Sequence, residues 1–265
     1  MKIKIFIKNR FNINKQNGLY LTLGIVITSA LIFIFLNFIE DLFDKSALLA
    51  FDSHVLDIMG NLRNPVLSKI MLFITYMGNW ENITILFIII SIILIILGKW
   101  RYLYSLIISL VSAEIFIYTL KNLIGRQRPP VTSALILLKD FSFPSGHSYI
   151  AIAFYGLVVY YIFDILTNKI LRILIIAFGF ILIAALGFSR IYLGVHWPSD
   201  VLAGFAASAA FITMIITFLE IREKFYPVKK PIQEKTKKIS ITAGFILIPL
   251  WIIYMVIFYL NHLLK

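Results

Sequence analysis

The sequence predicts an all-α membrane protein, on three observations. Of the 265 residues, 60% are hydrophobic and only 14% are charged, and the mean hydropathy is +0.92, far outside the usual composition of a soluble domain. Apolar windows of about 17 to 25 residues, the length that a helix needs to cross about 30 Å of hydrocarbon, recur along the chain. Basic residues collect in short segments between these windows, as they do in the cytoplasmic loops of membrane proteins.

Seven windows have the length and composition of transmembrane helices. They lie near 19–39, 82–98, 102–120, 148–165, 171–189, 200–219 and 240–260. No small-residue cleavage site follows the first window, which therefore predicts an uncleaved helix rather than a signal peptide. The stretch 66–77 is too short to cross and contains Lys69, so we predict an interfacial or packed helix there.

The windows divide the chain into four predicted parts. These are a cytoplasmic N-terminal segment (1–18), a membrane-embedded domain (19–220), a basic cytoplasmic loop (221–239) and a C-terminal transmembrane helix (240–265). Lys and Arg gather in the N-terminal segment, at 99–101, at 169–172 and at 222–238, which fall on one side if there are seven spans. The positive-inside rule makes that side cytoplasmic.

The opposite, extracytoplasmic side receives two kinds of loop. The segment 40–64 is predicted as an outer loop with an excess of acidic residues, which are Glu40, Asp41, Asp44, Asp52 and Asp57. The outer segment 121–147 is instead basic, with Lys121, Arg126, Arg128 and Lys139. This breaks the positive-inside pattern and indicates a separate reason for the charge, such as an anionic ligand.

Composition also excludes several chemistries. The chain has no cysteine, so neither a disulfide nor a thiolate nucleophile takes part. The net charge of +12 is spread over loops between apolar runs, which indicates membrane loops rather than nucleic-acid binding. Usage rich in Ile, Lys and Asn is typical of an AT-rich bacterial genome.

Three outer segments carry the residues suited to chemistry: KNLIGRQRPP (121–130), FPSGHS (143–148) and SRIYLGVHWPSD (189–200). Lys121, Arg128 and Arg190 can surround a tetrahedral dianion, because guanidinium forks match phosphate oxygens and ammonium adds a point charge. Ser145 and the amides around Gly146 lie where the fourth window begins, and a helix N-terminus favours an anion. Together they predict a phosphate cradle.

Two histidines of these segments suit phosphoryl transfer. His196 and Asp200 are four apart, so the carboxylate can hold one imidazole nitrogen and leave the other free to attack phosphorus. His147 is available to protonate the leaving oxygen. No metal is predicted, because two histidines and one aspartate without further carboxylates make a poor divalent-cation site.

These segments resemble the signature of the type 2 phosphatidic acid phosphatase superfamily, which includes vanadium haloperoxidases and bacterial acid phosphatases. The matching pattern is Lys121 with Arg128-Pro129, then Pro144-Ser145-Gly146-His147, then Ser189-Arg190 with His196 and Asp200. The resemblance implies a six-helix phosphatase core; the seventh apolar window, which predicts a C-terminal transmembrane helix, departs from the usual six spans of the family. It also implies phosphate binding by Lys121, Arg128, Ser145, Gly146 and Arg190, a phosphorylated His196 oriented by Asp200, His147 as general acid, and no metal or other cofactor.

The predicted activity is hydrolysis of a lipid phosphomonoester or diphosphate by a multi-pass cell-membrane enzyme whose site faces outward. Undecaprenyl diphosphate, phosphatidylglycerol phosphate and phosphatidate are the substrates that the resemblance implies, and membrane lipids are the expected surroundings. Alternatives are a lipid phosphotransferase that uses the same phosphohistidine, an anion transporter and a metal-dependent hydrolase. The charges cluster at span ends and not at the midplane, against a transporter.

Four further residues outside this pattern have separate interpretations. Arg126 is interpreted as a headgroup or diphosphate contact. Glu114, inside a predicted span, either pairs with Lys121 or faces a wet crevice. His54 and His262 are interpreted as structural.

Overall fold

The computed structural model describes residues 16–44, 46–130, 134–136, 138–225 and, except for 252 and 258, 250–260. Every regular element among these residues is helical. The helices are α1 (Gln16–Asp44), α2 (Ser46–Asn61), α3 (Pro65–Tyr76), α4 (Trp80–Ile96), α5 (Trp100–Ile124), α6 (Gly146–Ile150), α7 (Leu157–Ile165), α8 (Lys169–Tyr192) and α9 (Pro198–Phe225). A short π-helix, Ala151–Gly156, joins α6 to α7, so that 146–165 forms one rod.

Polar residues and one glycine set the ends of three helices. Asn64 caps α3 by accepting a hydrogen bond from the Leu67 amide (2.8 Å), and Pro65 follows in the first turn. Asn168 caps α8 in the same way, through the Ile170 amide (2.8 Å). Gly125 ends α5 with a φ of 63°, a left-handed conformation that suits glycine. The chain therefore turns sharply just after Lys121 and leads Arg126 and Arg128 across the end of the bundle.

The buried core lies where α5, α8, α9 and the 146–165 rod meet. Its fully buried members include Tyr102, Leu106, Phe154, Leu157 and Leu186. The opposite sides of several helices are apolar and exposed, as at Phe180 and Ile181 of α8. A soluble protein rarely exposes so large an apolar surface, which fits helices that face lipid.

One small residue lets α9 approach the start of α6. A Cβ added at Gly204 would lie 2.8 Å from the backbone oxygen of Ser145. Any side chain at this position would push the two helices apart, because real Cβ atoms do not approach backbone that closely. The beginnings of α6 and α9 are thus held together, which places His147 and His196 in the same region.

Within the described residues, five helices have the length and composition to cross a membrane: Leu19–Phe43, Trp100–Ile124, Gly146–Ile165, Lys169–Tyr192 and Pro198–Arg222. The predicted span at 82–98 has a different form. Pro65–Tyr76 and Trp80–Ile96 pass the same test only as a pair, bent by 49° at the short break between them. The stretch 66–77, predicted as an interfacial or packed helix, therefore meets the length and composition of a span only together with α4, as a broken span or a re-entrant segment.

Two further sequence predictions can be compared with the structure. The outer loop predicted at 40–64 contains the whole of α2, sixteen residues long. Of the predicted C-terminal span, the described residues between 250 and 260 are helical. The rest of that span lies outside the described residues, as do His262 and most of the 1–18 and 221–239 segments. The four-part division and the count of six spans plus one stay predictions.

Candidate active site

Direct hydrogen bonds tie the three predicted segments together at one end of the bundle. The Ser145 amide donates to the carbonyl oxygen of Asp200 (3.1 Å). The Trp197 indole donates to the carbonyl oxygen of Gln127 (2.9 Å). Arg128 Nη1 donates to the carbonyl oxygen of Val195 (2.5 Å). Residues some 80 positions apart in the sequence therefore share one small volume.

Lys121 and Arg128 share one carboxylate, which the sequence reasoning missed. Lys121 Nζ forms an ion pair with Asp140 Oδ2, and Arg128 Nη2 donates to Asp140 Oδ1 (2.7 Å). The Asp140 side chain is 56% exposed. Burial raises the pKa of Asp140, but the hydrogen bond and charge of Lys121, with the charge of Arg128, outweigh it and lower the pKa to about 2. Asp140 is therefore ionised at neutral pH and bridges two predicted phosphate ligands.

Arg190 has the least compensated charge of the cluster. Its side chain is buried at 3% exposure, and its Nη1 donates to Thr75 Oγ1 (2.5 Å). Its Nε is buried and has no hydrogen-bond partner, and no carboxylate among the described residues forms an ion pair with it. A buried guanidinium with an unused donor is costly unless an anion binds there.

His196 lies between the cation cluster and Asp200. Its Nδ1 is 3.4 Å from Asp200 Oδ2, and its Nε2 is 3.2 Å from Arg128 Nη1. Burial, followed by the charges of Arg128, Arg190 and Lys121, lowers the pKa of His196 well below its usual range. The ring is therefore neutral at physiological pH. With Nδ1–H directed at the carboxylate, the free lone pair is on Nε2, on the side of the cations.

His147 meets a residue from the break between α3 and α4. Its Nε2 is 2.9 Å from Asn79 Oδ1. His196, Arg190, Lys121 and Arg128 all act electrostatically on the His147 ring, so the two histidines belong to one site. Because Thr75 contacts Arg190, the bent helix pair supplies a polar partner to two of the predicted site residues.

Ser145 and Gly146 begin the rod that carries His147. Ser145 Oγ is the N-cap, accepts weakly from the Ser148 amide (3.4 Å) and is 2.9 Å from Ser148 Oγ. The first amides of the rod, at Gly146 and His147, have no partner inside the helix. A Cβ at Gly146 would make ordinary contact with Ile117, so the packing alone does not require glycine there.

Arg126 points away from the cation cluster, contrary to the interpretation as a headgroup contact. Its Nη1 donates to Asp200 Oδ1 (2.5 Å) and to Ser199 Oγ (2.8 Å). Its Nη2 donates to Asp52 Oδ2 (2.6 Å). Asp52 lies on α2 and is fully buried, within the stretch that the sequence predicts as an acidic outer loop.

Glu114 takes no part in these contacts. It lies on an exposed side of α5, and Lys121 pairs with Asp140 instead. The described residues include no group of three or more His, Asp or Glu side chains placed to hold a metal ion.

The PAP2 superfamily model matches residues 98–224. Phosphatidylglycerophosphatase B of Bacillus subtilis is 32% identical over 167 residues, which are 62% of this chain and 81% of the relative. The chain belongs to the PAP2 superfamily. A second relative is the undecaprenyl-diphosphatase of Sulfolobus acidocaldarius, 28% identical over 211 residues, or 76% of this chain and 92% of the relative.

The fold of this PAP2 protein has a solved counterpart. The crystal structure of a transmembrane PAP2 type phosphatidylglycerolphosphate phosphatase from Bacillus subtilis aligns with a TM-score of 0.69 and 26% identity, over 73% of this chain and 96% of that one. The protein is thus a multi-pass membrane enzyme, a lipid phosphatase of the PAP2 type. All eight predicted site residues lie inside the matched family range, whereas Asp52, Thr75 and Asn79 lie before it.

Proposed function

We propose that this enzyme hydrolyses a phosphomonoester or diphosphate of a membrane lipid through a phosphohistidine on His196. One observation carries the proposal: Lys121, Arg128 and Arg190 meet beside a neutral His196, with an unused Arg190 donor. Lys121 and Arg128 share a single, half-exposed carboxylate, Asp140, and Arg190 has no ion-pair partner among the described residues, so the cluster has an excess of positive charge. A phosphate dianion compensates that excess and uses the free donor.

The residues divide the reaction into two displacements. His196 Nε2 attacks phosphorus, a P–N bond forms, and the P–O bond to the lipid alcohol or lipid monophosphate breaks while His147 donates a proton to the leaving oxygen. Water then gives a proton to His147 and attacks phosphorus, the P–N bond breaks, and inorganic phosphate leaves. Asp200 keeps the proton of His196 on Nδ1 and stabilises the imidazolium character that develops.

The arginines and the lysine supply the electrostatic part of catalysis. Charge accumulates on the equatorial phosphoryl oxygens during each displacement, and preorganised donors stabilise it without reorganisation. Ser145 Oγ and the amides of Gly146 and His147 complete the cradle in this proposal. Since these groups come from the protein alone, turnover is expected to continue in excess chelator.

The relatives support two substrate classes. One is named a phosphatidylglycerophosphatase and another an undecaprenyl-diphosphatase, so phosphatidylglycerol phosphate and undecaprenyl diphosphate are the first candidates, with phosphatidate next. The site is proposed to face the extracytoplasmic side. Because the chain has no native cysteine, single cysteines at Lys139 and Lys169, both exposed and at opposite ends of the bundle, report that orientation by side-specific labelling.

The deciding experiment is a phosphate-release panel over these lipids, in detergent with chelator, on the wild type and His196→Ala. His54→Ala is the matched control, because His54 is an exposed histidine on α2 and is not a member of the predicted site. We expect release from at least one lipid, loss of it in His196→Ala and normal release in His54→Ala. Normal release by His196→Ala excludes the proposed nucleophile, and transfer to an added alcohol without release of phosphate identifies a phosphotransferase instead.

A further inference from the structure

A buried network on the far side of His196 connects α2 to the start of α9. Asp52 and Asp200 are both fully buried, and Arg126 lies between them, with one terminal nitrogen on each carboxylate (2.6 and 2.5 Å). Ser199 adds a second connection, because its amide and hydroxyl both donate to Asp52 (2.9 and 2.6 Å). Among the described residues, no ion pair joins this network to Lys121, Arg128 or Arg190.

The network fixes the orientation of the Asp200 carboxylate. Arg126 takes Oδ1, while Oδ2 accepts from the Trp197 amide (3.0 Å) and faces His196 Nδ1 (3.4 Å). With Oδ1 occupied, the carboxylate cannot rotate away from the imidazole without losing a charged hydrogen bond. Arg126 is held in turn by Asp52 through its other nitrogen.

Asp52 also holds the first turn of α9, which carries Asp200. The amide of Ser199 is one of the helix's unpaired N-terminal donors, and Asp52 accepts from it across 147 positions of sequence. The same carboxylate therefore fixes both the arginine and the helix turn on which Asp200 depends. Two oxygens of one residue define where Asp200 lies.

We infer that Asp52 is a positioning residue for the phosphoryl-transfer reaction, acting through Arg126 and Ser199 on Asp200 and thus on His196. The inference rests on the proposed function of His196. If Asp52 positions Asp200, the α2 helix has a part in catalysis in addition to packing against the bundle. Asp52 lies before the range that the family model matches.

The charge of Asp52 has a consequence that simple packing does not. The network holds two carboxylates, Asp52 and Asp200, and one guanidinium, Arg126, so it has one acid more than it has cations, next to the ring of His196. The other charged and titratable groups that act on His196 are Arg128, Arg190, Lys121, Asp140 and His147. Removal of the Asp52 charge leaves the network with as many acids as cations, so His196 holds a proton less readily and the acid limb of kcat/KM moves to lower pH.

The test compares Asp52→Asn, Asp52→Glu and Asp57→Asn, with phosphate release followed from pH 4 to 8. We expect Asp52→Asn to lower kcat about 10- to 100-fold, the range found for outer partners of metal-bound histidines. We expect KM and the inhibition constant of vanadate to change less than about two-fold, because Asp52 contacts Arg126 and Ser199 and none of the three cations proposed to bind phosphate. The acid limb shifts down by about half to one pH unit. Asp57→Asn, an exposed acid on the same helix, changes none of these.

Two further variants separate positioning from folding. Asp52→Glu keeps the charge, so its acid limb stays at the wild-type pH even if kcat falls. Ser199→Ala removes two hydrogen bonds, one to Asp52 and one from Arg126, and no charge. It lowers kcat without a shift of the acid limb, and these two variants carry the test if Asp52→Asn does not fold. An acid limb of Asp52→Asn identical to that of Asp57→Asn, or a fall confined to the amount of folded protein, overturns the inference. If His196→Ala remains active, the proposed function fails first, so the two failures are distinguishable.

Discussion

Arg126 and Arg128 are two positions apart in one irregular segment, yet they serve opposite environments. Arg126 is enclosed by two buried carboxylates, Asp52 and Asp200, and its charge is fully compensated. Arg128 shares the half-exposed Asp140 with Lys121 and lies on the side of the buried Arg190, whose Nε has no partner. A closed network and an open cluster thus flank the same histidine. In the closed network both terminal nitrogens of Arg126 donate to carboxylates, which suits a structural task, whereas the open cluster suits an anion that binds and dissociates.

The largest effect that tests this contrast is on stability. Arg126→Ala leaves two uncompensated buried carboxylates, and loss of one partner of a buried pair typically costs about 3–5 kcal/mol. Arg128→Ala removes contacts to the half-exposed Asp140, so its cost in stability is far smaller. We expect a strong fall in the melting temperature in detergent for Arg126→Ala and a small one for Arg128→Ala. Equal falls in the two variants contradict the division into closed and open sides.

The sequence could predict the open side because its residues belong to a motif with fixed spacing. Lys121, Arg128, His147, Arg190 and His196 do meet at one end of the bundle, at the ends of helices whose apolar windows are readable from composition. It could not predict which side Arg126 faces. In a segment without regular secondary structure, a side chain's direction depends on distant partners, and Asp52 is 74 positions away.

The same limitation explains the other partners that sequence reasoning missed. Thr75 and Asn79 contact site residues 115 and 68 positions away, and neither lies in a motif. Hydropathy windows detect the length of an apolar run but not a bend, so the 49° break that positions both residues was not predicted. Likewise, α2 lies in the stretch that hydropathy predicts as an outer loop, and its Asp52 is buried through partners that are distant in sequence.

The next largest effect concerns phosphate binding by the open side. Arg190→Ala removes a preorganised, buried charge donor, and the loss of one such donor lowers kcat by about 10²- to 10³-fold in well-studied enzymes. Arg190→Lys keeps the charge without the planar fork, so we expect an intermediate rate. Phosphate release from the preferred lipid measures both. Lys169→Ala, an exposed cation at the other end of α8, is the control, and a rate for Arg190→Ala equal to that of this control refutes the phosphate role.

The smallest effect concerns Asp140, which occupies two of the cations that a phosphate needs. Its pKa of about 2 means that the stability it contributes is complete above about pH 4 and is lost only as the pH falls toward 2. No assay near neutral pH therefore neutralises it, and a substitution is required. Asp140→Asn frees Lys121 and Arg128 from a half-exposed ion pair, and such pairs contribute up to about 1 kcal/mol each.

Vanadate mimics the pentacoordinate transition state. Its inhibition constant therefore measures how well Lys121 and Arg128 bind an anion once they are freed from Asp140. We expect its inhibition constant for Asp140→Asn to fall by about two- to five-fold, because the anion no longer competes with the carboxylate. Asp57→Asn, an exposed acid on α2, leaves the constant unchanged. If the inhibition constant of vanadate rises for Asp140→Asn instead, the carboxylate aligns Arg128 for the ligand. Asp140 would then resemble Asp52 in function, and the open side would depend on a fixed acid in the same way as the closed one.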